Sequence, residues 1–172
     1  MKELELLPFG DPFLSNKPSE FDFEKEDARE LSLRLFHAMG KAGGIGLSAN
    51  QVGLDMKVFV MGGNDKVPSK AIFNPKLQSV SDKMVSMKEG CLSYPGLWLM
   101  IKRPVECSIS YQDETGAVIA EGFSGFSARV VLHEYDHMLG QNFTQRASSL
   151  KLQRAMKHMD KKVKNFKRGK NV

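Results

Sequence analysis

The chain has 172 residues, 41% of them hydrophobic and 26% charged, a balance that excludes collagen-like and wholly disordered classes. Its formal net charge of +5 is uneven, because residues 146–172 hold ten Lys/Arg and one acid and the remaining 145 residues carry −4; a basic tail on a mildly acidic body hints at a polyanionic partner. No apolar run approaches the roughly 20 residues of a membrane span, two cysteines cannot build a secreted disulfide framework, and residues 1–8 hold no signal-peptide core, so one domain spanning 1–172 in a reducing cytoplasm is expected.

In chain order, residues 8–20 contain Pro8, Gly10, Pro12 and Pro18 and read as an extended lead-in. Ala28, Leu31, Leu35 and Met39 recur at helical spacing and predict a helix over 22–40, stopped by Gly40, Gly43 and Gly44. Residues 56–61 read as a short apolar strand, followed by a Gly62-Gly63-Asn64-Asp65 turn. Residues 71–74 and 79–87 are further candidate strands. Val105, Cys107, Ile109 and Tyr111 alternate with polar residues, the pattern of a half-buried strand, and Asp113-Glu114-Thr115-Gly116 turns it into a hairpin with 117–123. A helix over 127–139 follows, with Ser124 or Ser127 as cap and Gly140 at C′. The last helix, 149–166, carries one apolar stripe of Leu152, Ala155, Met156, Met159, Val163 and Phe166 among its cations. Strands dominate the middle and helices the ends, which argues an α+β fold.

The sharpest chemical signal is His133-Glu134-Tyr135-Asp136-His137. Two histidines four apart on a helix share one face, and their imidazoles can converge on a tetrahedral metal with the intervening glutamate beside it. The bland alternative is a helix with two ordinary histidines. A catalytic site needs a third protein ligand. The metalloprotease pattern that continues through Gly140 would place a histidine where Phe143 stands, and the only later donors are His158 and Asp160. Upstream, Cys91 lies in Glu89-Gly90-Cys91-Leu92-Ser93, ahead of a Tyr94-Pro95-Gly96 turn, which suits a site loop. Cys107, on an alternating strand, reads as a small buried hydrophobe. The run Gly43-Gly44-Ile45-Gly46-Leu47-Ser48-Ala49-Asn50-Gln51 lacks the Lys-Ser/Thr ending of a phosphate loop. It reads either as a flexible turn or as backbone that passes close beside a substrate.

Taken together, residues 44–51, 89–93 and 133–137 resemble, in order, the three motifs of the peptide deformylase family. The resemblance covers most of residues 8–167. It implies the deformylase α+β fold, antiparallel strands around a central metal-binding helix with a helix near each terminus. Cys91, His133 and His137 would bind one divalent metal with water as fourth ligand, Fe²⁺ in the first place, with Zn²⁺, Ni²⁺ or Co²⁺ as substitutes. Glu134 would act as general base and then acid, and Gln51 with the Leu92 backbone N–H would hold the oxyanion. Gly46, Ile45 and Glu89 would meet the substrate, and Asp136 would pair with Arg103 as structural support. The implied reaction removes formyl from the formyl-methionine of new peptides.

The chain departs from the family's usual pattern at three places: Ser48 in place of Ala, Trp98 in place of an Arg near the peptide, and Arg129 in place of an apolar residue. Partners expected are formyl-Met nascent peptides and, through the basic helix and tail at 149–172, the ribosome, with no membrane and no DNA. Two other readings stand beside this one: a zinc-dependent peptidase on the same helix, and a ribosome- or RNA-associated binding protein built on the tail.

Overall fold

A computed structural model describes residues 3–169, with side chains through residue 159. The lead-in is extended except for a 3-10 turn over Pro12–Ser15, capped by Asp11, which accepts from the Phe13 N–H at 2.9 Å. Helix α1 (Ala28–Lys41) begins at Ala28 rather than near residue 22, because Asp27 supplies the cap by accepting from the Glu30 N–H at 2.9 Å. Asp22 instead closes a local turn onto the Glu24 N–H.

Five strands form one antiparallel sheet in the order β1 (Gly46–Ser48), β2 (Val58–Met61), β3 (Lys70–Val80), β6 (Glu106–Gln112) and β7 (Val118–Ser124). Strands β4 (Met84–Cys91) and β5 (Tyr94–Pro104) make a separate hairpin. The 71–74 and 79–87 strands of the sequence reading are redrawn. Strand β3 runs unbroken past Pro75 by shifting register between Phe73 and Lys76, and the second segment starts at Met84. The shift accommodates the missing Pro75 N–H. Asn74, at φ 49, uses it to reach back to the lead-in, accepting from the Phe21 N–H at 2.7 Å and donating to the Phe21 carbonyl at 3.0 Å.

Two elements were not anticipated. Strand β1 is three residues long and reads locally as a glycine turn; its pairing Gly46↔Met61 through Ser48↔Phe59 makes it a strand. Strand β5 buries Leu97, Leu99, Ile101 and Arg103 on alternate positions, but Trp98 and Met100 on its other face are apolar and exposed, which blurs the alternation. Consequently Cys91 ends a strand rather than lying in a loop.

Helix α2 (Gly125–Met138) starts from Ser124, whose side chain makes no capping bond, while the Ser127 hydroxyl donates to the Lys66 carbonyl at 3.1 Å. Gly140, at φ 69, supplies the left-handed residue after its end. One face of the sheet packs Phe59, Met61, Ile72 and Ile109 against Ala128, Val131 and Leu132 of α2. The other packs Val58, Val60 and Phe73 against Leu31 and Leu35 of α1. Thus β2 is buried on both faces, which explains its unbroken apolar run. Helix α3 (Ser149–Gly169) lays Leu152, Ala155, Met156 and Met159 onto Leu97, Leu99 and Ile101 of the hairpin. The stripe residues Val163 and Phe166 lie outside the described side chains. No helix of the described residues is long and apolar enough to cross a membrane. The architecture is α+β, a central helix held between an antiparallel sheet and a hairpin.

Burial pushes the Cys107 thiol up to about 11, and the residue sits in the sheet–α2 core. The native metal-free protein is therefore expected to offer one fast-reacting thiol, Cys91, to a disulfide reagent, and Cys107 only on unfolding. Two fast equivalents would contradict this packing.

Candidate functional site

The site lies where α2 faces the end of the β4–β5 hairpin. His133 and His137 are one helical turn apart, with ring centroids 5.5 Å from each other. A register shift between Glu89 and Cys91 turns the Cys91 side chain toward them. Cys91 Sγ lies 3.5 Å from His137 Nε2, and ligand atoms of Cys91, His133 and His137 all fall within 4.8 Å of one another. A tetrahedral ion bound at ~2.3 Å to sulfur and ~2.1 Å to nitrogen separates those two donors by about 3.6 Å. The Cys91–His137 separation matches that value, and His133 lies close enough to complete a three-donor set for one metal ion.

The ring orientations agree. His133 Nδ1 is 3.1 Å from Glu89 Oε2, which leaves Nε2 for the ion. Burial opposes protonation of His133, but Cys91 and Glu89 beside it push the ring up to about 10. Burial, with His133 and Arg103 nearby, holds His137 well below its ordinary value and keeps it a neutral donor. Asn50 supports the end of the helix by donating to the His137 carbonyl at 3.2 Å.

Glu134 is buried beside this group. Burial pushes its carboxyl up from the ordinary value, opposed by the His133 charge and the Ser48 hydroxyl. That hydroxyl donates to Glu134 Oε2 at 2.6 Å. A Cβ on Gly46 would collide with Glu134 Oε1, so only glycine lets the strand pass this close. Gln51 accepts from the Ser48 N–H at 2.9 Å, which fixes its amide. Its Nε2 then points at Cys91 Sγ (3.3 Å) and Ser93 Oγ (3.0 Å).

Beneath the site runs a buried ion network. Arg103 grips both oxygens of Glu89, at 2.7 and 2.9 Å, and donates to Asp136 Oδ2 at 2.9 Å and to the Leu132 carbonyl at 3.2 Å. Arg146 adds a second guanidinium on Asp136, with Nε donating to Oδ2 at 2.6 Å. Arg129 donates to Glu89, to the Ile101 carbonyl at 3.0 Å and to the Val85 carbonyl at 2.8 Å. Burial would raise the Glu89 carboxyl, but hydrogen bonds from His133 and Arg103 outweigh it and hold it at about 2. Sequence reasoning missed the Arg129 and Arg146 contacts, since an arginine on a helix or turn ordinarily reads as solvated.

A cleft of about 660 Å³ opens onto these groups. Gly46, Gln51, Cys91, Leu92, His133 and Glu134 all line it, together with an apolar wall of Ile45, Phe126 and Val130. Glu89 reaches it from below, its carboxylate already taken up by His133 and the two arginines.

Residues 3–153 match the family model described as polypeptide deformylase. The chain belongs to this family. Among relatives, peptide deformylase 1B of Arabidopsis thaliana, chloroplastic/mitochondrial, is 37% identical over 83% of this chain and 54% of its own length. The peptide deformylase of Treponema pallidum (strain Nichols) is 37% identical over 83% of this chain and 87% of its own. The chain thus spans about half the length of the plant relative. A peptide deformylase from Synechococcus elongatus, solved with actinonin, superposes with a TM-score of 0.84 at 31% identity, covering 91% of this chain and 86% of that one. The plant deformylase PDF1B gives 0.86 at 32%, covering 100% and 95%. Of the three positions singled out in the sequence, Ser48 bonds Glu134, Arg129 bonds Glu89, and the half-exposed Trp98 ring lies over Gly90 with Lys88 Nζ 5.3 Å from it.

Asp136 is buried and satisfied by two arginines. Asp136→Ala should cost about 3–5 kcal/mol, because it leaves the Arg103 charge buried without that partner. Urea unfolding of the metal-free protein checks it; a loss below 1 kcal/mol, the scale of an exposed pair, would show that the network does not hold the helix.

Proposed function

We propose that the protein is a peptide deformylase, a metal-dependent hydrolase that releases formate from the N-terminal formyl-methionine of new peptides. The observation that carries this reading is the convergence of Cys91, His133 and His137 beside the buried Glu134 in one cleft of a deformylase-family chain. A divalent ion on those three residues would supply Lewis acidity, polarising the formyl oxygen and making a water nucleophilic at neutral pH. The donor set of one thiolate and two imidazoles suits Fe²⁺ or Zn²⁺ better than Mg²⁺, and Fe²⁺ is the ion proposed in the cell, with Zn²⁺, Ni²⁺ or Co²⁺ as substitutes.

Glu134 takes a proton from the attacking water and returns it to the departing amine, so a formamide and a water become formate and a free amino terminus. Gln51 Nε2 and the Leu92 backbone N–H donate to the negative charge that develops on the formyl oxygen. The Ile45, Phe126 and Val130 wall receives the methionine side chain, and Gly46 offers backbone beside the peptide. Residues 1–172 act as one catalytic domain in the cytoplasm. The basic face of α3, with Lys151, Arg154 and Lys157 exposed and its apolar residues on the hairpin, is a docking surface for ribosomal RNA. A peptidase reading is weaker: the position that a downstream third histidine would need is Phe143, a buried core residue.

Two measurements test this. Glu134→Gln should retain its metal yet lose about 10²–10⁴-fold in formate release from formyl-Met-Ala-Ser, the usual worth of a general base; a variant within threefold of wild type would refute the role. Co-sedimentation with ribosomes should fall steeply as salt rises, as counterion release requires, and should be weakened by removing residues 149–172. Salt-independent or absent binding removes the ribosome reading and leaves the catalytic one standing.

A further inference from the structure

Strand β1 presents Gly46 and Ser48 on one face, since alternate residues of a strand point the same way. That face meets Glu134. Gly46 makes room for Oε1 and the Ser48 hydroxyl donates to Oε2 at 2.6 Å. Both partners are buried, Ser48 fully so. Leu47, between them, points into the opposite core. The Ser48 backbone N–H meanwhile holds the amide oxygen of Gln51 at 2.9 Å. One residue thereby touches both groups assigned to the chemistry, through two separable atoms.

We propose that Ser48 is a positioning residue for Glu134. Its hydroxyl occupies Oε2 and fixes the carboxylate rotamer, so that Oε1, over Gly46, is the oxygen that takes and returns the proton. An alanine here leaves Oε2 without that donor. The backbone bond to Gln51 is independent of the side chain and survives the change. The proposal rests on the reading of Glu134 as the base.

Ser48→Ala removes one oxygen atom and nothing else, which makes it the informative variant. The kcat for formyl-Met-Ala-Ser should fall about tenfold, the scale of one hydrogen bond to a charged group, with KM and metal content unchanged. The readout that does not depend on turnover is a double-mutant cycle on the metal-free protein. Ser48→Ala should raise the unfolding equilibrium constant about tenfold in the wild-type background, again the worth of that bond. In a Glu134→Ala background, where the bond is already gone, it should change the constant by less than about threefold, the limit set by ordinary non-additivity. A general packing role for Ser48 would give equal destabilisation in both backgrounds. Equal destabilisation, or a kcat within about twofold of wild type, overturns the proposal. If Ser48→Ala behaves like wild type while Glu134→Gln is inactive, only this inference fails. If Glu134→Gln is itself active, the base assignment fails first.

Discussion

The guanidinium of Arg103 is 1% exposed, and burying a charge that deeply is tolerable only when it is paired and hydrogen-bonded on every side. Its partners come from two elements that are distant in sequence. Glu89 is on β4, while Asp136 and the Leu132 carbonyl are on α2. Satisfying Arg103 therefore permits one placement of the hairpin against the helix. Cys91 lies two residues beyond Glu89, and His133 and His137 bracket the Asp136 turn. The geometry of the three donors follows from that placement. Arg129 and Arg146 extend the same network, the first to the hairpin backbone and the second to the turn that leads into α3.

Glu89 shows how one residue can serve both structure and chemistry. Its carboxylate neutralises Arg103 and also fixes the His133 ring through Nδ1. A carboxylate on the far nitrogen of a ligating histidine sets its tautomer and raises its basicity. Across the cleft, β1 provides the complementary wall. It is the edge of the large sheet, and its small residues let backbone approach Glu134 where any larger side chain would intrude. The proposed hydrolysis thus uses a helix held from one side by ions and approached from the other by the Gly46 and Ser48 face of β1.

The proposed third donor would distinguish this chain from a peptidase built on the same helical motif. The downstream position that would carry a histidine holds Phe143, which packs into the hairpin core with its ring 5.7 Å from that of His133. The proposed donor, Cys91, comes instead from upstream, at the end of β4, and its sulfur would make the site softer than an all-nitrogen one.

The sequence by itself determined whatever depends on residues within a turn or two of each other. The His-Glu-x-x-His face, the Gly140 stop and the β6–β7 hairpin were legible because helical and strand periods are local properties. The order of the predicted elements carried the α+β class, and the order of the three motifs carried the family resemblance. What only the tertiary structure decided involves pairs far apart in the chain. Gly46 to Ser48 reads locally as a turn and becomes a strand because β2 lies beside it. Arg129 reads only as a replacement for an apolar residue and becomes a buried partner of Glu89, while Arg146, itself still exposed, reaches in to the buried Asp136, because the hairpin closes over α2. Ser48 reads only as a departure from the resembled pattern and becomes a hydrogen-bond donor to Glu134 across 86 residues of sequence. No local pattern encodes such contacts, since they exist only once burial has removed water as the competing partner.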